Sequence, residues 1–143
     1  MSKELNDNEL AAFAERYVAV WNESDDGLRR KLIHDLFAVD GAQLLIDPPQ
    51  AVREALAELA FPIPPVAVRG HAEMERRVTR AYEMFVAPGH RFAARGAATR
   101  LSTGLIGLGW DMVTADGAVA GAGYDVIALD DQHRIRLDSQ YIG

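Results

Sequence analysis

Asp125 stands in the run GAGYDVIALD, residues 121–130, among Val126, Ile127 and Leu129. Small and β-branched neighbours make this run a β-strand, where a carboxylate is costly unless it is exposed, paired or protonated. Two more oxygen acids stand out: Tyr17 on the apolar stripe of the first helix, and Asp47 just before Pro48 and Pro49. Carboxyls and a phenol can move protons together, one abstracting and another donating a hydrogen bond where charge develops. Each also has a plain structural use. Tyr17 can be a core aromatic, Asp47 a turn cap, and Asp125 one end of a buried hydrogen bond to Ser139 or Tyr17.

Other chemistries lack their parts. The chain has no cysteine, which excludes disulfides, thiolate nucleophiles and thiolate metal sites. His34, His71, His90 and His133 share no metal-ligand spacing, so no metal is expected. Gly104, Gly107, Gly109, Gly121 and Gly123 lie in strands and do not form a GxGxxG fingerprint, so a dinucleotide cofactor is rejected.

The elements that position these residues follow from periodicity. Leu10, Phe13, Ala14, Tyr17, Val18 and Trp21 fall at helical spacing behind an Asn6–Glu9 capping box. A second helix starts at Ser24 or Asp25 and buries Leu28, Leu32, Leu36 and Phe37, and Asp40-Gly41 turns into a strand, AQLLI. Residues 50–60 form a short helix, FPIPPV an extended connector, and His71 to about Val86 a further helix. The rest alternates as strands. Asp116-Gly117 is a two-residue hairpin signal that pairs Thr114 with Val119, Trp110 with Gly123, Leu108 with Asp125 and Ile106 with Ile127. A three-residue loop at 131–133 then sets Ile127 against Leu137 and Asp125 against Ser139. Asp125 thus shares a face with Trp110, Ser139 and Tyr141 beneath the helices, while Asp111 lies opposite. The runs Glu73–Arg77 and Arg29–Lys31 read as solvated helix faces.

Helices followed by antiparallel strands make one α+β domain over residues 1–143, with a glycine-rich sheet curled round a cavity. A net charge of −6 with no basic cluster argues against nucleic acid, and no apolar run reaches membrane-spanning length. A cytoplasmic protein is expected.

RYVAVWN (16–22), LFAVDGAQLLIDP (36–48), RGHAEMERRV (69–78) and GYDVIALDDQHRI (123–135) resemble the nuclear transport factor 2-like superfamily, and within it SnoaL-like proteins and ketosteroid isomerases. The resemblance covers most of the chain at low identity, with residues 49–69 as an insertion. It implies a cone-shaped barrel of a strongly curved antiparallel or mixed sheet, N-terminal helices on its concave face, and a homodimer with a deep apolar pocket. It also implies roles. Asp47 would shuttle the proton, while Tyr17 and a neutral Asp125 would donate to an enolate oxygen, with no cofactor. Trp21, Phe37, Trp110, Ser139 and Tyr141 would line the substrate pocket. The implied function is binding of a small hydrophobic carbonyl compound, with isomerase or polyketide-cyclase chemistry. The alternatives are a non-catalytic ligand-binding or dimerisation domain and, more remotely, epoxide-hydrolase-like water addition.

Overall fold

A reciprocal capping box starts the first helix. The Asn6 side chain accepts from the Glu9 amide at 2.8 Å, and Glu9 Oε1 accepts from the Asn6 amide at 3.0 Å. Amides that a helix start leaves open are thereby satisfied, and α1 runs Asp7–Asn22. The computed structural model describes residues 4–46, 50–59 and 66–143. There α2 (Asp26–Leu36) is followed by β1 (Phe37–Ile46), α3 (Gln50–Glu58), β2 (Val66–Arg69) and α4 (Gly70–Ala81). A π-helical turn, Tyr82–Val86, ends α4. Strands complete the chain: β3 (Arg91–Ala94), β4 (Thr99–Ser102), β5 (Leu105–Val113), β6 (Val119–Leu129) and β7 (Ile135–Ile142).

The strands form one sheet in the order β2-β1-β7-β6-β5-β3, with β4 also paired to β5. β1 and β7 are parallel and the other described pairs antiparallel, so the sheet is mixed. It is not closed, and the helices cover its concave face in an α+β, cone-like arrangement. Phe13, Tyr17, Ile33, Met74 and Val78 from the helices meet Leu45, Val68, Leu108 and Ile127 from the sheet in the core. No helix among the described residues is long and apolar enough to cross a membrane.

Several expectations are corrected. Phe37 begins β1 rather than ending a helix, and Asp40-Gly41 is an irregularity inside that strand rather than a turn before it. A Cβ on Gly41 would lie 2.7 Å from the Ile135 carbonyl oxygen, so only glycine permits this approach of β1 to β7. β2 had no counterpart in the sequence reading; the connector before it, residues 61–65, lies outside the described residues. The central β5–β6 pairs Leu108↔Asp125, Trp110↔Gly123 and Ile106↔Ile127 stand, but a bulge replaces the Thr114–Val119 pair with Val113↔Val119.

The β6–β7 register is the consequential change. Leu129 pairs with Ile135 but Ala128 with Leu137, so Arg136 is an extra residue in β7. Beyond it Ile127 faces Asp138, and Asp125 faces Gln140. A slip of one residue turns every side chain to the other face. Asp138 and Gln140 therefore point inward, while Leu137 and Tyr141 are exposed.

Candidate functional site

Tyr17 lies midway along α1 on the face pressed to the sheet and is 1% exposed. Its hydroxyl oxygen is 2.6 Å from Asp138 Oδ2 and 2.8 Å from Asp125 Oδ2, both carboxyls being fully buried. A phenol has one proton and these are two acceptors. It can donate to one carboxylate only, so the other carboxyl must carry a proton and donate to the phenolic oxygen.

The surrounding donors decide which. Trp110 Nε1–H donates to Asp125 Oδ1 at 2.8 Å, and Gln140 Nε2–H to Asp125 Oδ2 at 3.2 Å. Gln140 cannot turn its amide round, because its Oε1 accepts from Arg77 Nη2 at 3.1 Å. Besides Tyr17, Asp138 receives only Gln43 Nε2–H, at 3.0 Å, among the described residues, where its Oδ1 has no partner. Charge belongs where donors converge, so Asp125 is the carboxylate and Asp138 the acid. Burial first, and the neighbouring Asp125 charge second, push the Asp138 carboxyl well above the usual range. Burial and the same two carboxyls raise the Tyr17 phenol.

In front of this network is a cavity of about 240 Å³. Trp21, Phe85, Phe92 and Trp110 supply its apolar wall, and Tyr17, Gln140 and Arg77 bring polar atoms to it. Gly123 makes this wall possible. A Cβ there would stand 2.1 Å from Trp110 Cζ2, so the absent side chain is the space in which the indole lies. Arg77 is 7% exposed, with its guanidinium carbon 4.9 Å from the Trp21 ring centroid. Burial lowers its pKa to about 10, with the negative ends of Tyr17, Asp125 and Asp138 opposing, so it remains a cation at neutral pH.

The sequence-derived residues fall into four groups. Tyr17, Trp21 and Trp110 line the cavity, while Asp125 sits behind the wall and reaches it through Tyr17, Trp110 and Gln140. Phe37 is fully buried in the core away from the cavity, and its carbonyl accepts from His71 Nε2 at 2.8 Å. Ser139 and Tyr141 lie on the other face of β7, displaced by the Arg136 bulge. Asp47 lies outside the described residues. The reading of a neutral Asp125 also changes, since the donor count transfers the proton to Asp138.

Four residues were missed: Gln43, Arg77, Asp138 and Gln140. The parity of β7 hid Asp138 and Gln140. Arg77 belonged to a charge run read as solvated, though it sits three residues after Met74 and one before Val78, on the buried stripe of α4. That spacing was the available signal. Asp111 is paired with Arg95 at 3.3 Å, away from the network.

No family model matches the chain, and no curated protein does. Solved structures do. One is a candidate isomerase of the SnoaL-like family from Agrobacterium tumefaciens, with TM-score 0.73 and 22% identity over 94% of this chain and 97% of that one. A SnoaL-like protein of unknown function from Burkholderia thailandensis has TM-score 0.59 and 17% identity, covering 92% and 95%. A candidate SnoaL-like polyketide cyclase from Jannaschia reaches TM-score 0.56 at 9% identity, covering 99% and 91%. At such identities the likeness is one of fold. The chain has the nuclear transport factor 2-like fold of the SnoaL-like proteins.

Proposed function

We propose that the chain binds a small hydrophobic molecule in the cavity between α1, α4 and the sheet. The observation that carries this is the cavity itself, an aromatic-lined space with three polar side chains at its wall. Its volume of about 240 Å³ lies just below the ~300–1,000 Å³ of drug-sized sites, which favours one or two rings over a steroid skeleton. Trp21 and Trp110 are the only tryptophans and both line the space, so a ligand is read directly as a fluorescence change. A Cβ on Gly121 would meet only Met112, at 3.5 Å, so Gly121→Leu fills the cavity without displacing backbone. Titration with cyclic ketones, acids and esters should change the emission of wild type and not of Gly121→Leu. Equal responses would mean that the compounds bind elsewhere.

A second reading, acid–base transformation of a bound carbonyl compound, is favoured by the carboxyl pair behind Tyr17. Tyr17 can turn its proton to a ligand oxygen while accepting the Asp138 proton, and Asp125 keeps two donors from Trp110 and Gln140. The base in this reading is Asp47. Exchange of ligand α-hydrogens for deuterium, followed by NMR, should be catalysed by wild type and lost in Asp47→Asn; no exchange by wild type returns the function to binding alone. We place a homodimer contact on the outer sheet face, where exposed Tyr124 and Tyr141 are cross-strand partners and Leu137 is exposed four residues along β7 on the same face.

A further inference from the structure

The described residues include two arginines buried below a tenth exposure, Arg29 and Arg77, and the first shows what a structural arginine looks like in this fold. Arg29 lies over the Tyr82 ring, and its donors are spent on the Glu23 and Ser24 carbonyls, Asp26 and Thr79. Arg77 also lies over an aromatic ring, that of Trp21, but its donors are not spent. One hydrogen bond runs from Nη2 to Gln140 Oε1; Nε has no acceptor, and among the described residues no carboxylate reaches the guanidinium. Trp21, whose ring Arg77 covers, also carries a buried Nε1–H with no partner among the described residues. Gln140 connects Arg77 Nη2 to Asp125, which holds the guanidinium in place beside the cavity that Arg77 and Gln140 both line. A buried cation with a single side-chain acceptor is costly, and that cost is recovered if a ligand brings oxygen atoms to it.

We propose that the cavity takes a small cyclic organic acid, its ring among Trp21, Phe85, Phe92 and Trp110 and its carboxylate on the Arg77 guanidinium. A carboxylate matches the planar guanidinium fork and carries one charge for one cation. A phosphate dianion would bring more charge and more acceptors than this wall has donors to meet. The inference rests on the cavity reading above and narrows its ligand class.

The test compares acids with their own methyl esters, which keep the ring and remove the charge. Benzoate, phenylacetate and cyclohexanecarboxylate, each with its ester, are titrated into the full chain by tryptophan fluorescence and calorimetry. Each acid should bind roughly ten- to hundredfold more tightly than its ester, the range for a hydrogen bond to a charged group. The preference should vanish in Arg77→Met, with folding checked by circular dichroism, and return in part in Arg77→Lys. Should Arg77→Met fail to fold, the wild-type ratio and Arg77→Lys decide: a ratio near one, or one unchanged by lysine, overturns the proposal. Esters that bind as tightly as acids refute the anion site and leave the cavity reading intact. Failure of every compound to bind, with Gly121→Leu indistinguishable from wild type, removes both.

Discussion

Exchanging Asp125 and Asp138 for asparagine, one at a time, reports which of them holds the shared proton. In Asp125→Asn the oxygen facing Trp110 is kept and an NH₂ replaces the one facing Gln140 Nε2 and the Tyr17 hydroxyl. Gln140 is locked by Arg77, so two donors oppose each other in a buried site. The unmet donor and the lost carboxylate, which reaches Arg77 only through Gln140, together cost roughly 2–4 kcal/mol. Asp138→Asn is different. Its NH₂ replaces a carboxylic O–H as donor to Tyr17, and the conflict with Gln43 Nε2 resolves if Gln43 turns its amide. That turn gives up the long Gln43 Nε2–H to Tyr17 hydroxyl bond at 3.3 Å, but breaks nothing on the other side, where Gln43 Oε1 has no partner among the described residues. The expected cost is under ~1 kcal/mol. For a chain of this length each kcal/mol moves Tm by about 2–4 °C, so Asp125→Asn should melt on the order of 5–15 °C lower and Asp138→Asn within ~4 °C of wild type.

The same pair gives a pH signature. With its carboxyl raised in the folded state, Asp138 keeps a proton that the unfolded chain has lost above the ordinary aspartate value of 3.8. Stability therefore falls as pH rises through the interval between the unfolded and folded values, by at most about 1.4 kcal/mol per pH unit for one proton. Asp138→Asn lacks this loss, so its urea-unfolding free energy should gain on wild type as pH rises from 4. The exposed Asp35 and Asp116, lowered by hydrogen bonds from Lys31 and Thr114, act in the opposite sense below that range and cancel in the comparison. An Asp125→Asn variant as stable as wild type, beside a crippled Asp138→Asn, would put the proton on Asp125 and refute the donor count.

Gly123→Ala drives a methyl into the Trp110 ring and breaks its bond to Asp125; urea unfolding should register a loss of roughly 2–4 kcal/mol, whereas Gly121→Ala should stay within about 1. Arg29→Lys loses the fork that reaches Glu23, Asp26 and Thr79 together, and thermal unfolding should show a cost of about 1–3 kcal/mol despite the retained charge. If the outer sheet face joins two copies, Leu137→Glu with Tyr141→Glu should halve the mass seen by light scattering without changing the secondary structure; a monomeric wild type would dispose of that contact.

Where the sequence could be read correctly, side-chain parity and hydrophobicity agreed. α1 announced itself by its capping box and apolar stripe, and the β5–β6 pairing that buries Asp125 followed from the Asp116-Gly117 turn signal together with alternation. β7 failed because the two disagreed. In RIRLDSQYI the apolar residues Leu137 and Tyr141 alternate with Asp138 and Gln140, and the ordinary rule sends the first pair inward. The bulge at Arg136 sends the polar pair inward instead, and burying them is tolerable only because Tyr17, Gln43, Trp110, Asp125 and Arg77 supply partners from other elements. The nearest of those partners, Asp125, lies ten residues before β7 on another strand and the others lie 25 or more away, so no local pattern could have announced them. An isolated strand with its polar side inward would be unstable, and one that persists in a fold marks a place where packing has been exchanged for chemistry or recognition. Arg77 follows the same logic on α4: a cation on the buried stripe of an amphipathic helix is an error of patterning unless the cavity it borders receives something of opposite charge.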